Sequence, residues 1–174
     1  DIDLQFSERP IPNFYILAGR STKVDHVLHD GDEVLLEEGL SIHAYRTAGH
    51  SAGEMSYRLE DAFFIGDTVP VITDIPIIID VPEMIASIKM LRCQKGIRSF
   101  YPAWDHAYSA EEMEKKLEEA EELIMNLGKA IAESDVGQDL RDLTKLVSEE
   151  MKLQMFSKNP LFAKTVGAFR KEWK

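Results

Sequence analysis

A histidine and an aspartate, each placed where glycine bends the backbone, are the groups of this 174-residue chain best suited to chemistry. His50 lies in T-A-G-H-S-A-G, between Gly49 and Gly53, and Asp67 ends the apolar run at 62–65 in F-F-I-G-D-T. A divalent metal takes neutral imidazole nitrogen or carboxylate oxygen, at about 2.0–2.2 Å for zinc, from side chains whose backbones do not drift. Glycines allow a tight turn around His50. Gly66 lets the chain leave its strand sharply, so that Asp67 projects at the strand's carboxyl end, where α/β folds collect their sites. His106 follows the next strand-like run, 97–101, in Y-P-A-W-D-H. The three side chains together suggest a metal site.

This order of motifs, G-H-S-x-G, an apolar strand into G-D-T, an amphipathic helix, an apolar strand and a histidine, resembles the second half of the metallo-β-lactamase superfamily of hydrolases. The resemblance covers about residues 34–106. It implies His50 as a ligand of a first metal, Asp67 as the carboxylate bridging two metals and holding them at their catalytic spacing, and His106 as a ligand of the second. Some relatives end the last strand with a Trp-Asp pair, which leaves Asp105 as the alternative to His106. Two zinc ions held this way would lower the pKa of a shared water towards about 7 and deliver hydroxide to an ester, thioester or lactone carbonyl.

The family's leading motif, H-x-H-x-D-H, occurs nowhere in the chain. The resemblance therefore implies a fragment of a longer protein with an incomplete binuclear site, possessing a small-molecule substrate and, where the front half should pack, room for a complementary N-terminal fragment or a homo-oligomer. The competing expectation is a non-catalytic binding or assembly module with a degenerate site. The implied fold class is α/β: half of an αββα sandwich, a mostly antiparallel sheet with flanking helices, over residues 1–132, with a C-terminal helical extension packed on it over 133–174.

The elements that must position these groups are legible from periodicity. The Asp30-Gly31-Asp32 turn leads into a strand at 33–36. Leu40–Arg46 alternates Leu40, Ile42 and Ala44 against Ser41, His43 and Tyr45. Met55–Leu59 and 62–65 read as a hairpin closed at Glu60-Asp61. Residues 69–82 hold three prolines and the run I-P-I-I-I. Pro76 bars a central strand, so the segment either lines a substrate pocket with Trp104 or packs into the core.

Helical spacing of Met84, Ile85, Ile88 and Leu91 predicts a helix over 83–91, ending at Gly96. Ser109 with Glu112 is a capping box opening a helix to about Ala132, with Met113, Leu117, Ala120, Leu123, Ile124 and Leu127 as its buried stripe. A helix over 140–155 follows. Asn159 then caps another that starts at Pro160 and buries Phe162, Val166 and Phe169. Pro10 and Pro12 break any helix near the start.

A net charge of −11 argues against a nucleic-acid surface, which needs clustered Lys and Arg. No apolar run approaches the roughly 20 residues of a membrane span. The single cysteine, Cys93, excludes an internal disulfide and suits a reducing cytoplasm. Mid-helix and without an elbow, it reads as a buried or half-buried thiol. There is no phosphate loop of the G-x-x-x-x-G-K-S/T or G-x-G-x-x-G type. His26 and His29 have i, i+3 spacing but sit beside a turn with no second acidic cluster, and His43, within a strand, reads as structural.

Overall fold

The structure, a computed structural model, describes residues 23–37, 39–71 and 74–172. The stretch containing Pro10 and Pro12 lies outside them. Six strands form one sheet in chain order: β1 (Glu33–Glu37), β2 (Leu40–Arg46), β3 (Met55–Leu59), β4 (Ala62–Gly66), β5 (Ser99–Pro102) and β6 (Tyr108–Ser109). Every neighbouring pair is antiparallel except β4 and β5. A parallel pair needs a crossover, and α1 (Val81–Cys93) supplies it. The chain continues through α2 (Ala110–Ser134), α3 (Leu140–Glu150), a single 3-10 turn at Gln154–Phe156 and α4 (Pro160–Glu172).

Strand alternation sorts the sheet into two faces. Phe63 pairs with Phe100 and Arg58, and Tyr45 meets Phe63 edge-on at 5.3 Å, so this side carries Tyr45, Phe63, Ile65 and Phe100 against the helices. The opposite side carries Ala44, Tyr57, Phe64 and Tyr101. There Phe64 and Tyr101 stack at 5.0 Å while remaining 43% and 39% exposed. One buried cluster runs from Phe63 and Ile65 through α1 and α2 to Leu143 and Val147 on α3 and Phe162, Val166 and Phe169 on α4.

The caps follow the sequence signals. Ser109 Oγ accepts the Glu112 N–H at 3.2 Å while Glu112 returns a carboxylate to the Ser109 N–H at 2.8 Å. Asp80 caps α1 by accepting the Glu83 N–H at 3.0 Å, and this moves the helix start back to Val81. Asn159 accepts the Leu161 N–H at 2.8 Å ahead of α4.

Three local expectations are corrected. The helix expected over 140–155 stops at Glu150, because Lys152 turns left-handed at φ 57° and the Leu153 N–H bonds back to the Ser148 carbonyl at 2.7 Å. That turn folds Leu153 and Phe156 onto the core. Cys93 is exposed, because it is the last residue of α1 and lies two positions beyond the buried Leu91, about 200° around the helix. The strand expected over 97–101 begins at Ser99, and the short β6 pairs beside it, immediately before α2. No helix among the described residues is long and apolar enough to cross a membrane.

Candidate metal-binding cleft

Three chain segments leave the carboxyl ends of β2, β4 and β5 and meet at one edge of the sheet. The first carries His50 and is fastened to α1. Ser87 donates to the Ala48 carbonyl at 2.7 Å, and the Gly49 carbonyl accepts the N–H groups of Ile79 at 2.8 Å and Asp80 at 3.2 Å. Gly49 is at φ 138°, and a Cβ there would lie 2.6 Å from Met84 Cα, so the close approach of loop and helix requires glycine.

The second segment carries Asp67 just past Gly66, which turns at φ 53°. Fully buried hydroxyls tie it to the first: Thr47, Ser56 and Thr68 form a triangle with oxygen separations of 2.8, 3.3 and 3.0 Å. The third segment is drawn in when the Ala103 N–H bonds the Gly66 carbonyl at 2.9 Å, bringing Trp104 and Asp105 beside Asp67.

The result is a cleft of about 470 Å³ with His50, Asp67 and Asp105 in its wall. Val69, Val71, Ile75, Ile77 and Trp104 make the rest of that wall apolar, with Asp74 as a further carboxylate. The segment at 69–82 divides between both expected roles: Ile77 faces the cleft, whereas Ile78 is fully buried in the core.

His106 stands beside the cleft and does not line it. Its Nδ1 is 2.7 Å from Asp105 Oδ1, and its ring meets Tyr108 edge-on at 5.0 Å. Asp105 also accepts the Tyr108 hydroxyl at 2.5 Å and the His106 N–H at 2.7 Å. The Tyr108 hydrogen bond, followed by those from His106, holds the Asp105 carboxyl down at about 2. Burial, then the neighbouring Asp105, pushes the Tyr108 phenol up.

Imidazole and carboxylate are the donors that zinc-type ions take. Their chemistry fits such an ion, but their number does not complete a site: no group of three metal-capable side chains converges among the described residues. The other histidines lie elsewhere. His29 is exposed beside Asp32, and His43 faces Ser41 and Glu33 on the sheet.

Glu54 is the site residue that motif reading passes over. It immediately precedes β3, and its Oε1 accepts the Asp67 N–H at 2.8 Å. Burial raises its pKa to about 7, against the opposing pull of the Asp67 and Ser51 backbone N–H groups. The available signal was an acid directly after Gly53, immediately ahead of a half-buried strand.

Against solved structures, the chain superposes on a metallo-β-lactamase family protein from Thermus thermophilus with a TM-score of 0.61 and 18% identity, over 83% of this chain and 48% of that one. It also matches an archaeal metallo-β-lactamase superfamily protein from Sulfolobus tokodaii with a TM-score of 0.51 and 18% identity, over 96% of this chain and 62% of that one. The chain has the metallo-β-lactamase fold. It spans less than two thirds of the length of either structure, consistent in architecture with half of an αββα sandwich and added C-terminal helices. No family model and no curated protein matches the sequence.

Proposed function

We propose that this chain forms one side of the active cleft of a metal-dependent hydrolase with the metallo-β-lactamase fold. His50 and Asp67 serve as metal ligands, and further ligands come from a complementary N-terminal segment. The observation that carries the reading is that His50, Asp67 and Asp105, from three separate segments, line one cleft with an apolar wall. Asp105 is better placed than His106 for the last ligand, because it faces the cleft while the His106 ring braces it from the side.

A bound divalent ion, zinc in this reading, would supply Lewis acidity and a water that ionises near neutral pH. The chain's own part is to hold the donors still and to shape the substrate. Val69, Val71, Ile75, Ile77 and Trp104 favour an apolar acyl or lactone group, and they exclude water from it. The carboxylates and the net charge of −11 favour a neutral small molecule over nucleic acid.

A second reading, a binding or assembly module with a degenerate site, is favoured by the incomplete ligand set and by the exposed Phe64–Tyr101 face, which a partner segment or a second copy would cover. Zinc content after equilibrium dialysis separates the two, measured on this chain, on the chain joined to its upstream sequence, and on the joined form carrying Asp67→Ala. The enzyme reading expects zinc and aryl-ester hydrolysis in the joined form and their loss with Asp67→Ala. A joined form that takes up no zinc leaves the module.

A further inference from the structure

Glu54 has no role in the core and does not line the cleft, yet its carboxyl group is withdrawn from water at the meeting point of two loops. Oε1 takes the Asp67 N–H at 2.8 Å, and the Ser51 N–H on the His50 loop also favours the ionised form. Oε2 is buried and has no hydrogen-bond partner among the described residues. The Gly66 turn is shaped around this group: a Cβ on Gly66 would lie 3.3 Å from Oε1, tighter than ordinary contact.

A buried carboxyl with an unsatisfied oxygen is costly, and strand pairing does not require one at this position. The compensating gain is geometric. Asp67 lies past the end of β4, where no ladder hydrogen bond holds its backbone, and Glu54, the residue just before β3, supplies the missing acceptor next to the segment that carries His50.

We propose that Glu54 is a positioning residue that couples the His50 loop to the Asp67 turn, so that the two side chains keep a fixed separation across the cleft. The coupling stands on the hydrogen bond itself, whereas its consequence for metal affinity rests on His50 and Asp67 being ligands. Carboxylates behind ligand-bearing segments act in this way by fixing orientation, and removing such support costs about 10- to 100-fold in metal affinity.

The test uses the full chain with Glu54→Ala and Glu54→Gln, the latter keeping an acceptor oxygen without the charge. Amide hydrogen exchange by NMR reads the coupling directly. Glu54→Ala is expected to speed exchange at the Asp67 amide by about tenfold or more while the Leu123 and Leu127 amides of α2 stay unchanged, and Glu54→Gln to restore protection. Zinc competition against a chromophoric chelator, measured on the chain joined to its upstream sequence, is expected to weaken by about 10- to 100-fold in Glu54→Ala and by no more than about threefold in Glu54→Gln. Glu54→Met, similar in length and lacking the acceptor, replaces Glu54→Ala if that variant does not fold. An Asp67 amide that exchanges equally in wild type and Glu54→Ala overturns the coupling, as does an equal loss in the Ala and Gln variants. If the wild-type chain joined to its upstream sequence takes up no zinc while Glu54→Ala still releases the Asp67 amide, the coupling stands and the metal reading fails.

Discussion

Thr165, on α4, accepts the Ile78 backbone N–H at 2.9 Å, and the same hydroxyl donates to the Pro76 carbonyl at 2.8 Å. One fully buried side chain thus satisfies both backbone groups where the segment after Asp67 dips into the core, so the last helix holds up a wall of the cleft. Thr165→Val keeps the shape and removes both bonds. The expected loss is about 1–3 kcal/mol in urea unfolding, with faster exchange at the Ile78 amide. An unchanged midpoint would mean that the segment is anchored elsewhere.

Gly49 and Gly53 flank His50 closely in sequence but differ in their surroundings. Gly49→Ala sets a Cβ 2.6 Å from the Met84 backbone at a φ that L-residues avoid, so α1 or the histidine loop has to move. A loss of about 3 kcal/mol is expected by thermal unfolding. Gly53 has open space around its Cβ position, and Gly53→Ala is expected to stay within about 0.5 kcal/mol. Equal effects at the two positions would refute this account of the loop.

Ile77 and Ile78 are neighbours with opposite surroundings. Ile78→Ala is expected to cost about 2–5 kcal/mol, because it opens a cavity in the core. Ile77→Ser, on the cleft wall, is expected to leave the melting curve nearly unchanged and to lower kcat/KM for apolar aryl esters in the metal-loaded, joined protein. Should Ile77→Ser unfold the chain, the cleft assignment of that side chain is wrong.

Tyr108 is the main reason the Asp105 carboxyl ionises at about 2 instead of its ordinary 3.8. A depressed carboxyl stabilises the fold above its unfolded value, and that contribution is lost as pH falls from about 3.8 through about 2. Carbon-13 NMR titration of Tyr108→Phe is expected to show the Asp105 carboxyl moving up towards 3.8. A carboxyl that still titrates near 2 would assign the effect to His106 alone.

Glu54 has the opposite sign. Its folded value is raised from 4.5 to about 7, so the native state holds the proton more tightly than the unfolded chain does. Its contribution is fully present below about 4.5 and declines as pH rises through about 7. Melting temperatures of Glu54→Gln and wild type are therefore expected to diverge in favour of the glutamine variant as pH rises across that window. A difference that does not vary with pH counts against the burial of this carboxyl group.

The strands, the helix caps and the buried helix stripes were legible because each depends on residues only a few positions apart: alternation in Leu40–Arg46, the Ser109–Glu112 capping box, and Asn159-Pro160 ahead of α4. The motifs around His50 and Asp67 were legible for the same reason, since glycines mark tight turns locally. The break at Lys152 was not, because it follows from Leu153 and Phe156 finding the core, and neither was the exposure of Cys93 at the helix end. Tertiary structure alone decided that Asp105 faces the cleft while His106 turns to Tyr108, that adjacent isoleucines part between cleft and core, and that Glu54 reaches Asp67. Those choices depend on which distant backbone or ring arrives beside a side chain, and the energy of that meeting is not written in the spacing of residues along the chain.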